Sequence, residues 1–176
     1  ATQETNSYRY SKILELHFTL MKIALTLFFS VILHLGVFAQ HTNYLFIGNS
    51  YTHYNKMSKT FENIANSKGK NVHADTLAVS NSTLKFHATR KYTYKKLRSK
   101  YWDNIIIQGF SRELAQDTAT IAEETLPYVT QLIDSIKKIN PCTKIYFFMT
   151  WPYQNGFTKN DVDYNRLQML NRINNG

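Results

Sequence analysis

One cysteine, Cys142, stands in 176 residues. A lone thiol excludes an intramolecular disulfide framework and a cysteine-based metal cluster. Beside an apolar run it is expected as a small core residue. Acidic residues are also scarce, 12 against 21 Lys and Arg, for a formal charge of +9. No internal repeat and no low-complexity tract is present. Only 19% of the chain is charged while 43% is hydrophobic and 14% aromatic, which excludes disorder and coiled coil and predicts one packed globular domain. No His, Cys or acidic cluster has metal-ligand spacing, so no metal and no cofactor is expected.

The basic residues are scattered except in "RKYTYKKLRSK", Arg90 to Lys100. Such a segment is either a solvated helix face or a nucleic-acid contact, and steep salt dependence of binding would mark the second. The first is the expectation, with no nucleic-acid partner.

The N-terminal part stands apart. From Met21 the sequence "MKIALTLFFSVILHLGVFAQ" carries one lysine, a long apolar run and a small-residue site at Val37-Phe38-Ala39 before Gln40. It reads as a secretory signal peptide over residues 21–39, which predicts export to the periplasm or medium. Residues 1–20 precede that start, carry no signal element, and are expected to be a spurious upstream extension. The rival is an uncleaved anchor, since the run from Ile23 to Ala39 reaches the lower limit for spanning a bilayer. Membrane contact is expected only through that segment.

From residue 40 onward the pattern alternates. Strand-like runs at Tyr44–Ile47, Ala74–Val79, Asn104–Gln108 and Lys144–Thr150 are separated by helical stretches at Asn55–Lys68, Leu84–Lys100 and Ala119–Ile139. This predicts a flavodoxin-like three-layer α/β/α domain over residues 40–176, with a parallel sheet. "IIIQ" and "IYFFMT" read as strands buried on both faces. Ligands bind beyond the carboxyl ends of such strands. The residues there are Gly48-Asn49-Ser50, Ser80-Asn81-Ser82, Gln108-Gly109 and Thr150-Trp151-Pro152, all polar or turn-forming. A serine at such a turn is nucleophilic when a base takes its proton and nearby donors hold the oxyanion. Gly48 would let the backbone turn, a helix from near Asn55 would add its positive end, and Asn81 and Gln108 would offer amide donors.

These segments resemble a family. "LFIGNSYT" is similar to the first block of the SGNH (GDSL-like) hydrolases, "AVSNSTLKFH" to the second, "WDNIIIQGFSREL" to a subgroup's third, and "CTKIYFFMTWPYQNG" to the strand and loop that follow. The resemblance runs from about Asn43 to the last residue. It implies a serine esterase acting on a small-molecule or carbohydrate ester, a carbohydrate acetyl group being one such substrate, through an acyl-enzyme. Ser50 would be the nucleophile, and the oxyanion hole would comprise the backbone N–H groups of Ser50 and Asn81 with the side-chain amide of Gln108. His87 and Trp151 would be pocket residues, although a satisfied contact at a helix start is an equal alternative for His87. Asn81 stands where the family's turn usually has glycine, and Trp151-Pro152 where Trp-Gly is usual.

The family's final Asp-x-x-His has no counterpart among these residues. His53, three positions from Ser50, is too close in sequence to approach the hydroxyl correctly. The expectation is an incomplete domain that lacks a last strand and helix and is inactive or nearly so. A fourth helix is expected from about Asp161, and a sheet with a strand missing would leave an apolar edge open. The alternatives are a non-catalytic exported carbohydrate- or ligand-binding domain on the same fold and a flavodoxin-like phosphate or flavin binder. The latter's loop would be richer in Gly, Ser and Thr than "GNSYTHYNK".

Overall fold

A computed structural model of the chain describes residues 12, 14–28, 41–159 and 162–175. It comprises two units, residues 1–40 and 41–176. In the first, residues 14–28 are helical. Among the described residues no helix is long and apolar enough to cross a membrane. The expected cleavage site at Val37–Gln40 lies outside the described residues.

The second unit is built on a parallel four-stranded sheet in the order β2-β1-β3-β4, where β1 is Thr42–Gly48, β2 Val72–Ala78, β3 Asn104–Ile107 and β4 Lys144–Phe147. Register pairs Thr42 with Val72, Tyr44 with Asn104 and Asn104 with Lys144. Side chains alternate between the faces of a strand. Leu45 and Ile47 of β1 and Ile105 and Ile107 of β3 thus enter one core, with Leu84, Leu97, Trp102, Leu132 and Ile136. Those partners come from or flank three helices: α3 (Leu84–Thr89), α4 (Lys91–Leu97) and α6 (Leu126–Ile139). The other face of β1 sets Tyr44 and Phe46 edge-on to Phe61, at 4.8 and 5.5 Å between ring centres. Phe61 belongs to α2 (Met57–Ser67). Helices on both faces of a parallel sheet give the predicted three-layer α/β/α architecture.

Several expectations need correction. β4 is not buried on both faces: Tyr146 is 49% and Phe147 55% exposed. Its place at the edge of the sheet, paired only with β3, is the cause. Cys142 is exposed, not a core residue, because it lies in the turn before β4, with its N–H donating to Asn140 Oδ1. The helix expected over Leu84–Lys100 breaks at Arg90, whose backbone is extended at φ −97°, ψ 128°. That over Ala119–Ile139 becomes α5 (Thr118–Glu124) and α6, restarting at Leu126-Pro127. Proline lacks the N–H needed to continue the first helix but suits the first turn of a second. The helix expected from Asp161 starts instead as α7 at Arg166 and runs to Asn175.

An antiparallel hairpin was not anticipated: β5 (Phe157–Lys159) pairs with β6 (Val162–Tyr164). It enters through Gly156, at φ +71°, where a Cβ would fall 1.7 Å from Tyr164 O. Only glycine fits there. Phe157, Met169 and Ile173 then pack on Ala115 as a second, smaller core.

Candidate active site

β1 runs directly into a short helix, α1 (Ser50–His53). Asn49 makes that transition. Its Oδ1 accepts from Tyr51 N at 3.0 Å, a side-chain N-cap, while its Nδ2 donates to Ser82 O at 3.4 Å and Gly109 O at 3.3 Å. One buried amide therefore ties together the loops beyond β1, β2 and β3. Ser50 follows as the first residue of α1, half-buried.

α1 does not continue smoothly into α2. Asn55 and Lys56, at φ 56° and 53°, are both left-handed, and α2 begins only at Met57. The helix expected over Asn55–Lys68 is thus found as Met57–Ser67, and the separate α1 ahead of it was not anticipated. Together they wall a cleft of about 730 Å³, lined by Ser50, Tyr51, Tyr54, Met57, Phe61, Ile64 and Trp151 among others. Trp151 is 49% exposed and stacks on Tyr51, rings parallel and 4.2 Å apart. Ile64, on the predicted apolar stripe of α2, is 60% exposed beside this cleft.

Gln108 lies beneath the turn. Its Oε1 accepts from Asn49 N at 3.2 Å and from Thr52 Oγ1 at 2.7 Å. A backbone N–H can only donate, so the amide must present oxygen there. The nitrogen, Nε2, donates to Gly109 O, which engages one of its two N–H groups. Gly48 closes the same packing. A Cβ on it would fall 2.2 Å from Thr52 Oγ1 and 2.7 Å from Gln108 Oε1. Glycine is required there by the close approach of these side chains, since Gly48 is absent from the left-handed residues.

Asn81, beyond β2, is exposed and left-handed at φ 59°. Asparagine is among the few residues with a side chain that enter this region readily, which explains its presence where a glycine is usual. Its neighbour Ser82 is buried, with Oγ donating to Gly48 O at 3.0 Å. His87 is wholly buried and does not line the cleft that Ser50 and Trp151 share. Its Nε2 lies 2.8 Å from both Gly48 O and Ser82 Oγ. Burial pushes its pKa below the ordinary value, with the Gly48 contact opposing. The helix-side alternative describes His87 better than a pocket role. His53 turns to the end of β2, its Nε2 3.1 Å from Ser80 Oγ.

Four participants escaped the sequence. Asn49, Thr52 and Ser82 lay in quoted segments without an assigned part, and an asparagine before a helix start was a legible cap signal. Glu113 was not singled out. Its carboxylate accepts from Leu84 N at 2.9 Å and from Phe110 N, joining the loop after β3 to the start of α3. Desolvation raises its pKa against those two hydrogen bonds. Among the described residues no three His, Cys, Asp or Glu side chains gather as metal ligands would. In the basic segment Lys96 pairs with Asp75, and Thr93 and Leu97 are buried.

This architecture is the fold of the SGNH hydrolases. Among solved structures the chain is similar to a protein from Slackia heliotrinireducens described as an SGNH hydrolase, with 22% identity and TM-score 0.62 over 77% of this chain and 71% of that one. A DUF4886 family protein from Bacteroides uniformis gives 17% identity and TM-score 0.61, over 76% of this chain and 60% of that one. A carbohydrate esterase family 2 enzyme with a carbohydrate-binding domain, from Corynascus thermopiles (Myceliophthora fergusii), gives 15% and 0.51, over 79% and 54%. No family model matches the chain, and no curated protein matches it by sequence.

Proposed function

We propose that this chain carries the nucleophile side of a serine ester hydrolase of the SGNH type, with Ser50 attacking the ester carbonyl. The observation that carries this is the placement of Ser50 at the carboxyl end of an inner strand, opening on an apolar cleft. Attack would form a bond from Ser50 Oγ to the carbonyl carbon, expel the alcohol, and leave an acyl-enzyme for water to hydrolyse. The oxyanion would be held by the N–H groups of Ser50 and Asn81 and by the second N–H of Gln108 Nε2. The left-handed turn at Asn81 supports its part.

The reading assigns the general base to neither nearby histidine. His53 is turned to Ser80, and His87 is wholly buried on Gly48 and Ser82. The substrate would be an ester of a small alcohol or carbohydrate, with the acetyl group of a sugar as one form, and the protein would act after export. Likeness to a carbohydrate esterase supports that choice, as do the stacked Tyr51 and Trp151, whose faces suit a sugar ring or an aryl group. The second reading, a ligand-binding domain without turnover, rests on the same aromatic wall.

Hydrolysis of p-nitrophenyl acetate by this chain and by Ser50→Ala separates the two. A triad missing one member retains roughly 10³–10⁴-fold catalysis over water from the hole and binding. An acyl adduct on Ser50 seen by intact mass after incubation with the ester, and absent in Ser50→Ala, supports the hydrolase. Turnover with no acyl adduct at Ser50, at a rate that Ser50→Ala leaves unchanged, removes it. Binding of sugars without turnover, lost in Trp151→Ala, would establish the second reading.

A further inference from the structure

We propose that His87 is a positioning residue that holds the nucleophile turn and the oxyanion turn at a fixed separation. This rests on the assignment of Ser50 and Asn81 above, although its structural core does not. Gly48 O is the last carbonyl of β1, two residues before Ser50. It faces three donors: Val79 N at 3.1 Å, Ser82 Oγ at 3.0 Å and His87 Nε2 at 2.8 Å. Val79 N belongs to the end of β2, and Ser82 adjoins Asn81. The ring of His87 thus joins one carbonyl on the Ser50 side to one hydroxyl on the Asn81 side, and α3 fixes the ring from behind.

The tautomer follows from these contacts. A carbonyl oxygen can only accept, so Nε2 must carry the proton that points between Gly48 O and Ser82 Oγ. Placing the proton on Nδ1 would set the Nε2 lone pair against the carbonyl. It would also bury an unpaired donor, because Nδ1 has no hydrogen-bond partner. That partnerless, buried Nδ1 is a cost the fold accepts at this position, where a leucine would fill the space without one. The Nε2–H is what a leucine cannot supply. An oxyanion hole works only if its donors stay aimed where charge develops, and a drift of about 1 Å between two turns can cost on the order of 100-fold in rate.

The test compares the wild-type chain with His87→Leu, which removes the donor, and His87→Gln, which keeps one. Each is checked for folding by circular dichroism. In the wild type, the ring ¹⁵N spectrum should show the Nε2–H tautomer. Amide exchange at Val79 and Ser82, whose N–H groups donate to Gly48 O and Val79 O, should accelerate at least tenfold in His87→Leu and return toward wild type in His87→Gln, with β3 and α6 unchanged. Wherever Ser50-dependent turnover of p-nitrophenyl acetate is present, kcat should fall 10- to 100-fold in His87→Leu with little change in KM. An Nδ1–H tautomer, or unchanged exchange at Val79 and Ser82 in folded His87→Leu, overturns the proposal. If His87→Leu does not fold, the wild-type tautomer and the His87→Gln exchange pattern decide it. Absence of both turnover and an acyl adduct at Ser50 in the wild type would strike the hydrolase assignment and leave the exchange and tautomer results to judge His87.

Discussion

Gly48→Ala asks one methyl group to enter the most crowded point of the site. The new Cβ would stand 2.2 Å from Thr52 Oγ1, 2.7 Å from Gln108 Oε1 and 3.0 Å from Thr52 Cβ. Neither neighbour can yield cheaply. Thr52 is 2% and Gln108 1% exposed, and threonine is branched at Cβ and stiff at χ1. Overpacking of a closed site costs about 1–3 kcal/mol. Displacing Thr52 also breaks its hydrogen bond to Gln108, for roughly another 0.5–1.5 kcal/mol. The expected loss is about 2–4 kcal/mol, which for a domain of this size lowers Tm by roughly 5–15 °C in a thermal melt followed by circular dichroism. Thr52→Ala, which removes the nearest atom, should alone cost about 1 kcal/mol. The double variant should be more stable than the sum of the two losses by about 0.5–3 kcal/mol, since each change touches the same contact. A Gly48→Ala chain melting within about 2 °C of wild type would refute the close-packing explanation, as would strict additivity in the cycle.

Asn81→Gly should leave stability unchanged or slightly raised, while Asn81→Val should cost about 1–2 kcal/mol in urea melts, because φ 59° is adverse to a branched residue. His87 supplies a pH dependence. Its folded pKa lies below the ordinary 6.5, chiefly through burial, so the unfolded chain takes up the proton first. Its contribution to stability is complete above about 6.5 and is lost as pH falls from there through the folded value, with a slope of at most ~1.4 kcal/mol per pH unit. Urea melts should show that slope flattened in His87→Gln. Glu113 has the opposite sign: its pKa is raised above 4.5 by desolvation, so its contribution is present below 4.5 and declines as pH rises through the folded value. The stability of Glu113→Gln should accordingly fall off less between those limits. Expressed from Met21 in a secreting host, the protein should appear with an N-terminus at or near Gln40; intact mass showing residues 21–39 retained in the membrane fraction would favour an anchor.

The strands were legible because their apolar runs are separated by stretches of helical period, and the four polar strand ends followed from that alternation. Exposure along β4 was not legible, because hydrophobicity cannot say which strand lies at an edge. Gln108 illustrates a second limit. An amide can donate or accept, and only the N–H of Asn49 pointing at it fixes which end faces the turn. His87 illustrates a third: Leu-x-x-His places a ring one helical turn from a leucine but says nothing of its depth. The hairpin escaped notice because strands of three residues are too short to show alternation.

The second core has its own bearing on how the protein moves. α7 and the hairpin pack on the turn at Glu113–Ala115, with Tyr153 N donating to Met169 Sδ at 3.1 Å and Arg172 reaching Ala115 O. Among the described residues its four buried apolar side chains contrast with ten in the main core. A segment with so little burial should exchange its amide hydrogens ahead of those in the sheet. Trp151 lies just before it in the chain, at the start of the loop leading to Tyr153. Trp151, half of the aromatic wall of the cleft, is thus joined in sequence to the smaller of the two cores.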